Sequence, residues 1–221
     1  ADGSRDTLVS IERIVATGFN DTLRGSDQNN RMNAGDGDDN IFARGGNDTI
    51  FGEGGIDTIR GDAGSDRLYG GDGDDFLYGG DGVDILDGGQ GDDFLRGDAG
   101  NDRFFGRDGD DDIYGGDGID ILNGQDGNDD LYGGNDRDFL RGGDGSDALF
   151  GEGGDDRIDG GEGIDGAFYS GQSDDYEIIL RANGVLSIED LNLSDGDDGR
   201  DILTNVEFLV FTDGIFAVTS F

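Results

Sequence analysis

From Asp39 onward, an Asp occupies every ninth position of this chain. The series runs Asp39, Asp48, Asp57, Asp66, Asp75, Asp84, Asp93, Asp102, Asp111, Asp120, Asp129, Asp138, Asp147, Asp156 and Asp165, 15 hits without an insertion. The frame reaches back to Asn30 and Asp21, giving 17 copies. Two residues after each Asp stands a large apolar residue, from Ile41, Ile50 and Ile59 through Phe104 to Ile158. Gly lies two before the Asp from Gly37 to Gly163, except at Asp136, and another lies five before it from Gly52 to Gly160. The stretch Gly70-Gly-Asp-Gly-Asp-Asp75-Phe-Leu-Tyr78 shows one whole unit. Numbered from its first Gly, the Asp holds position 6 and the apolar residue position 8.

Such a period restricts the fold to a stack. Six Gly- and Asp-rich residues predict a tight turn, and the next three a short strand with one side chain pointing inward. A three-residue strand of this kind is not stable alone. Stacked units solve the problem, because each strand pairs with its counterpart in the next coil and the apolar residues merge into one column. Two units make an 18-residue coil with a strand on each side, so the expectation is two parallel sheets across a thin core of Ile, Leu and Phe. At about 4.8 Å per strand, eight or so coils give a rod on the order of 40 Å long.

The same stacking aligns the Asp side chains into two rows on the turn edges. Carboxylates about 5 Å apart repel unless a cation lies between them. Ca²⁺ suits such a row, since it takes six to eight oxygens at about 2.4 Å from carboxylates and carbonyls. Pairing each Asp with the one 18 residues on gives 13 pairs, from Asp39/Asp57 to Asp147/Asp165. Metal binding and folding are then one event.

Composition sets the outer bounds. The chain has 15 basic residues, all Arg, against 53 acidic ones, of which 46 are Asp, for a net charge of −38. Gly supplies 47 of 221 residues, and the apolar share is 32%, which by composition alone reads as disorder. The coupling of Asp to Gly at a fixed spacing opposes that reading, because disordered acidic tails mix Glu with Lys, Pro and Ser. No His, Cys, Lys, Pro or Trp occurs, so an imidazole base, a Ser-His triad, a thiol nucleophile, a disulfide and an ordinary zinc site are all excluded. The charge argues against nucleic acid as a partner, and no apolar run approaches the roughly 20 residues of a membrane span. Thirteen Ca²⁺ would bring −38 to about −12, a tolerable value for a soluble domain.

The unit G-G-x-G-x-D-x-(apolar)-x resembles that of the RTX, or haemolysin-type, calcium-binding proteins over residues 21–165. The resemblance implies an all-β, right-handed parallel β-roll with two nonapeptides per coil. It also implies Ca²⁺ held between one loop and the loop two copies on, by both Asp side chains and by turn carbonyls. By this likeness the carbonyls come from positions 2 and 4 of one loop, such as Gly71 and Gly73, Gly80 and Gly82, Gly89 and Gly91, or Gly116 and Gly118, and from positions 1 and 3 of the other. About 11 to 13 ions are expected. The pattern weakens in two places: Asn30 and Gln28 depart from it early, and Asp136-Arg137 precedes Asp138, so weaker or missing sites are expected at the first copies and at the two sites that share the Asp138 loop.

The flanks lack the frame. Residues 1–20, with Asp6-Thr-Leu8 and Ile11-Glu-Arg-Ile14, read as an N-terminal cap. Residues 166–221 read as a β cap over the open end, with strands at Tyr176–Leu180, Val185–Ile188 and Phe208–Phe211 and a turn at Ala182-Asn-Gly184. Tyr169-Ser-Gly, Asp175-Tyr176, Asp198–Glu207 and Phe211-Thr-Asp-Gly214 resemble the segment that ends many RTX proteins. Asp213–Val218 with Phe221 resembles the uncleaved C-terminal signal of type I secretion. Without an initiating Met or N-terminal signal, the chain reads as the C-terminal piece of a larger protein, with any catalytic part upstream of Ala1.

Two functions follow as expectations. The first is a bacterial extracellular module that stays unfolded at low cytosolic Ca²⁺, threads a type I export channel and folds outside. The second draws on outward rows: Arg24, Phe42, Arg60, Tyr78, Arg96, Tyr114, Tyr132 and Phe150 on one face, and Arg31, Arg67, Arg103 and Arg157 on the other. Arg pairs with carboxylates and aromatic rings stack on sugars, so the alternative is an adhesin or polysaccharide-binding module in which an acidic polysaccharide such as alginate lies along the first row, as in the R modules of mannuronan epimerases. Against it, such residues also serve simply to cover sheet faces and pair with nearby Asp. No catalytic role is expected, because the repeated carboxylates are used by calcium.

Overall fold

The computed structural model describes residues 13–181, 185–192 and 198–218. The Asp6-Thr-Leu8 segment, Ile11 and Glu12, the Ala182-Asn-Gly184 turn and Phe221 lie outside the described residues.

Odd and even units do go to opposite sides. Strands from alternate units build a 12-stranded and an 11-stranded sheet, parallel throughout the repeats, and about nine coils stack in a β-roll. The register is fixed at 18 residues: Ile50 pairs with Leu68, Leu68 with Leu86, and on the other sheet Ile59 with Leu77 and Leu77 with Leu95. Position 8 supplies the core from both sides. Ile41, Ile50, Ile59, Leu68, Leu77 and their successors to Leu131 are fully buried, with Phe104 among them. Each such side chain contributes roughly 2 kcal/mol of burial. Because neighbours in the column come from successive coils, that gain exists only when coils stack.

Thr22–Arg24, Asn40–Phe42 and Gly166–Phe168 have the three residues expected, but most repeat strands are longer. Thr49–Gly54 and Arg67–Asp72 are six residues each, running from position 7 through position 3 of the next unit. Their ladder skips position 1 and resumes beyond it, with Glu53 opposite Gly71 and Gly54 opposite Asp72. Gly-rich residues have no side-chain preference for strands, yet their backbone groups still find partners in the adjacent coil.

The ends close differently. Arg13–Val15 pairs parallel with Arg31–Asn33, and Ile14 sits against Met32 and the core. At the other end the chain leaves the roll after Gly166–Phe168. It turns through Ser173–Asp175 and forms an antiparallel hairpin of Tyr176–Leu180 and Leu186–Asp190. It then returns: Arg200–Thr204 pairs parallel with the strand Arg157–Gly163, and Phe208–Phe211 with Gly166–Phe168. Gly214–Ala217 folds back on Phe208–Phe211 as the outermost strand. The C-terminal segment therefore does not lose the repeat, as the sequence suggested. Gly199-Arg-Asp201-Ile-Leu203-Thr204 resumes positions 4 to 9 after an insertion, with Leu203 opposite Ile158 and fully buried.

Candidate metal centre

The turn edges carry two rows of position-6 carboxylates, and one hydrogen bond sets each of them. The backbone N–H of every Asp from Asp39 to Asp147 donates to Oδ1 of the Asp 18 residues on, at 2.7–2.9 Å. Those are the 13 pairs that the spacing predicted. Every Asp from Asp39 to Asp165 is at most 3% exposed, and Oδ2 of each is buried without a hydrogen-bond partner. An ionised oxygen buried and unpaired costs several kcal/mol, so fifteen of them in register call for a common partner.

A small space beside each Oδ2 is kept open by the position-1 glycine. A Cβ on Gly52 would fall on Asp57 Oδ2 and come within 2.6 Å of the Gly70 carbonyl oxygen of the next coil. The same holds at Gly61, with Asp66 Oδ2 and the Gly79 carbonyl. Carboxylate and carbonyl oxygens therefore line one cradle, the donor chemistry of a hard cation. No three acidic side chains converge on a point among the described residues, so carbonyls must complete any coordination shell.

The glycines at positions 2 and 4 have a structural role that the sequence did not reveal. Gly71, Gly73, Gly80, Gly82, Gly89, Gly91, Gly116 and Gly118 all adopt φ between 108° and 149°. A Cβ on Gly71 would fall on the Glu53 carbonyl and one on Gly73 on the Gly55 carbonyl, so these residues permit the close approach of successive turns. Glu53, Asp62, Asp98, Arg107, Gln125 and Glu152 hold positive φ at position 2 without being Gly. Arg107 offsets its strain with a bidentate pair to Asp87, at 2.9 and 2.6 Å. The Asp136 loop keeps its shape with φ 76°, and Asp138 retains the same buried, unpaired Oδ2 as its neighbours.

The N–H ladder starts one coil earlier, with the Asp21 N–H donating to Asp39 Oδ1 at 2.6 Å and the Asn30 N–H to Asp48 Oδ1 at 2.5 Å, but the series of unpaired Oδ2 atoms begins at Asp39. Oδ2 of Asp21 instead accepts from the Thr17 N–H at 3.0 Å and the Thr17 hydroxyl at 2.7 Å. Asn30 Oδ1 accepts from the Ser26 N–H at 2.8 Å. Both early positions thus turn their side chains to local protein donors.

Burial drives the electrostatics. Desolvation, followed by the N–H bond that opposes it and by repulsion from the neighbouring carboxylates, raises Asp75 and Asp111 to about 8. Asp138 also reaches about 8, Asp84, Asp93, Asp129 and Asp156 about 7, and Asp48, Asp57, Asp102, Asp120 and Asp147 about 6. Asp39, Asp66 and Asp165 are raised by the same desolvation. A row so placed takes up either protons or cations.

Compared with known families, residues 15–50, 51–86, 78–113, 87–122, 105–140 and 132–167 match the RTX calcium-binding nonapeptide repeat. The chain belongs to that family. Family membership makes it a calcium-binding repeat domain, and the buried Oδ2 row and its carbonyl-lined cradles suit that ion. No curated protein matches the chain.

The outward rows of this RTX roll are engaged with one another. Tyr114, Tyr132, Phe150 and Phe168 stack in sequence with centroids 4.4–4.5 Å apart. The Arg60 guanidinium lies between Phe42 and Tyr78, 5.8 and 5.2 Å from their centroids, and Arg96 pairs with Asp98 at 2.5 Å. On the opposite face Arg31 lies over Phe51, which stacks on Tyr69 at 4.9 Å. A second ladder, which the sequence reading missed, runs at position 5. There Asp92, Asp110, Asn128 and Ser146 each donate a backbone N–H to the Oδ1 of the residue 18 before, at 2.7–3.0 Å. Its signal was legible as the excess of Asp, Asn and Ser just before the repeated Asp.

Proposed function

We propose that this domain is a calcium-triggered folding module of a bacterial protein exported by type I secretion, unfolded inside the cell and folded outside. The observation that carries the reading is the row of buried, unpaired Oδ2 atoms from Asp39 to Asp165. Without a counter-charge, folding must either bury these carboxylates ionised or protonate them. At the low free Ca²⁺ of a cytosol both routes oppose folding of a chain at −38. At extracellular Ca²⁺, binding and folding proceed together, with Asp39 to Asp165 and the turn carbonyls as ligands. A Cys-free chain that is unfolded before export can thread a channel, and folding outside opposes its return.

The reading includes a secretion-signal role for the C-terminal residues from Asp213 onward and leaves catalysis to any upstream part of the parent protein. Binding of acidic polysaccharide draws less support. The rings that would stack on sugars stack on each other, and Arg60 and Arg96 are held by neighbouring rings and by Asp98. Far-ultraviolet circular dichroism during a Ca²⁺ titration tests the proposal. A β signal that appears with Ca²⁺ and is lost to chelator supports it, and a β signal indifferent to chelator contradicts it.

A further inference from the structure

The hydrogen bond that defines the carboxylate rows does not stop where the repeats stop. The Asp156 N–H donates to Asp201 Oδ1 at 2.9 Å, and the Asp165 N–H to Glu207 Oε2 at 2.9 Å. These partners lie 45 and 42 residues away in sequence, yet they take the places that an Asp 18 residues on would hold.

Several other elements of the repeat geometry follow them across the junction. The Ile202 N–H donates to the Asp156 carbonyl at 3.0 Å, as Arg157 does to Asp138 one coil earlier. The Phe208 N–H donates to the Asp165 carbonyl at 3.0 Å, as Gly166 does to Asp147. Leu203 and Leu209, each two residues past the acid, are buried in the core column. Gly199 holds φ 68° at position 4, and a Cβ there would fall on the Gly154 carbonyl, just as one on Gly154 would fall on that of Asp136. At Asp165 the cradle is rebuilt as well: a Cβ on Gly160 would fall on the Asn205 carbonyl and lie 2.6 Å from Asp165 Oδ2, whereas the nearest atoms to one on Gly151 all belong to Asp156. Asn205 thus presents the carbonyl that a position-1 glycine gives elsewhere, and its side chain is anchored to Asp159 at 2.7 Å.

Glu rather than Asp suits the second place. From Thr204 the chain reaches Glu207 across only Asn205 and Val206, a turn three residues shorter than in the repeat, and the extra methylene lets the carboxylate reach Asp165. Oδ2 of Asp156 and of Asp165, shared with the array pairs to Asp138 and Asp147, is buried with no hydrogen-bond partner in residues at most 1% exposed, and Asp201 is itself 1% exposed with the Tyr169 hydroxyl beside it.

We infer that Asp201 with Asp156, and Glu207 with Asp165, form two further Ca²⁺ sites that join the C-terminal cap to the calcium lattice. This rests on the calcium reading of the array and extends it to residues outside the repeats. The cap is then held to the roll by metal as well as by its strand ladder, so the last coil and the cap order together with Ca²⁺.

Native mass spectrometry of the full chain at saturating Ca²⁺ tests the inference. Asp201→Asn and Glu207→Gln keep the acceptor oxygen for the Asp156 and Asp165 N–H groups and remove the charge. Each is expected to lose one ion relative to wild type, and the double variant two, while Glu177→Gln on the outer hairpin loses none. Folded variants with the wild-type ion count would overturn the junction sites. Should neither variant fold, an anomalous-difference map of the wild type in Ca²⁺ decides: peaks beside Asp201 and Glu207 support the sites, and occupied array sites with no peak at either acid overturn them. A folded wild type that binds no Ca²⁺ at all would instead remove the calcium reading on which the inference rests.

Discussion

The backbone N–H of Asp57 donates to Oδ1 of Asp75 at 2.7 Å, and Oδ2 of Asp75 is buried with no partner. One carboxylate therefore ties two coils together with one oxygen and offers the other to a cation. Because Asp75 in turn donates to Asp93 at 2.7 Å, each interior Asp takes part in two such pairs.

Asp75→Asn separates these roles. The amide oxygen can still accept from Asp57, but the charge is gone. The expected result is loss of about two bound Ca²⁺ and a higher Ca²⁺ midpoint for folding. Asp75→Ala also removes the acceptor and should cost about 1–3 kcal/mol more in the folded state. A Ca²⁺ titration followed by circular dichroism, with the ion count by mass spectrometry, checks both.

Acid and calcium should act in opposite senses on affinity. Asp75, Asp111 and Asp138 are raised by burial to about 8, against roughly 3.9 for the unfolded chain. A folded roll without cations therefore binds protons that the unfolded chain releases. Its stability is greatest below the unfolded value and is lost as pH rises through about 8. In chelator, β structure should increase as pH falls from 8 toward 4.5. In Ca²⁺, the midpoint should rise over the same interval, because protons compete for the Oδ2 atoms. Circular dichroism at several pH values checks the sign of each trend.

Turn geometry makes Gly73→Ala a severe change. Gly73 has φ 127°, and an added Cβ would fall on the Gly55 carbonyl. A loss of about 3 kcal/mol is expected from backbone strain and collision together. Gly171→Ala, where φ is not in that region and the nearest atoms are 2.9–3.0 Å away on Tyr176, should be milder. Chemical denaturation in saturating Ca²⁺ compares the two.

Phe104 is the one aromatic in the fully buried column, between Leu86 on the adjacent coil and the sheet opposite. Phe104→Ala should cost about 3–5 kcal/mol through a cavity that rigid coils cannot close. Leu95→Ala on the opposite sheet should cost about 2–5 kcal/mol. Equilibrium unfolding in Ca²⁺ measures both.

The nine-residue spacing from Asp39 to Asp165 made the stack, the core column and the carboxylate rows legible, because every unit repeats the same chemistry and errors at one copy are corrected by the rest. Strand length was not legible: residues such as Glu53 and Gly54 extend the ladder through backbone bonds that side-chain identity does not encode. Asp201 and Glu207 escaped because an insertion of a hairpin separates them from Asp156 and Asp165, and only the Asp201–Leu203 and Glu207–Leu209 offsets hint at the frame. The mutual stacking of Tyr114 and Tyr132 depended on their side-chain tilt within the row, which a list of outward positions leaves open.

The most direct test of the calcium lattice is an anomalous-difference map from crystals grown in Ca²⁺. Two columns of peaks are expected along the turn edges, about 4.8 Å apart within each column and about 2.4 Å from the Asp Oδ2 atoms. A Ca²⁺-saturated crystal whose Oδ2 atoms are hydrogen-bonded to water, with no anomalous peaks along either edge, would contradict the account.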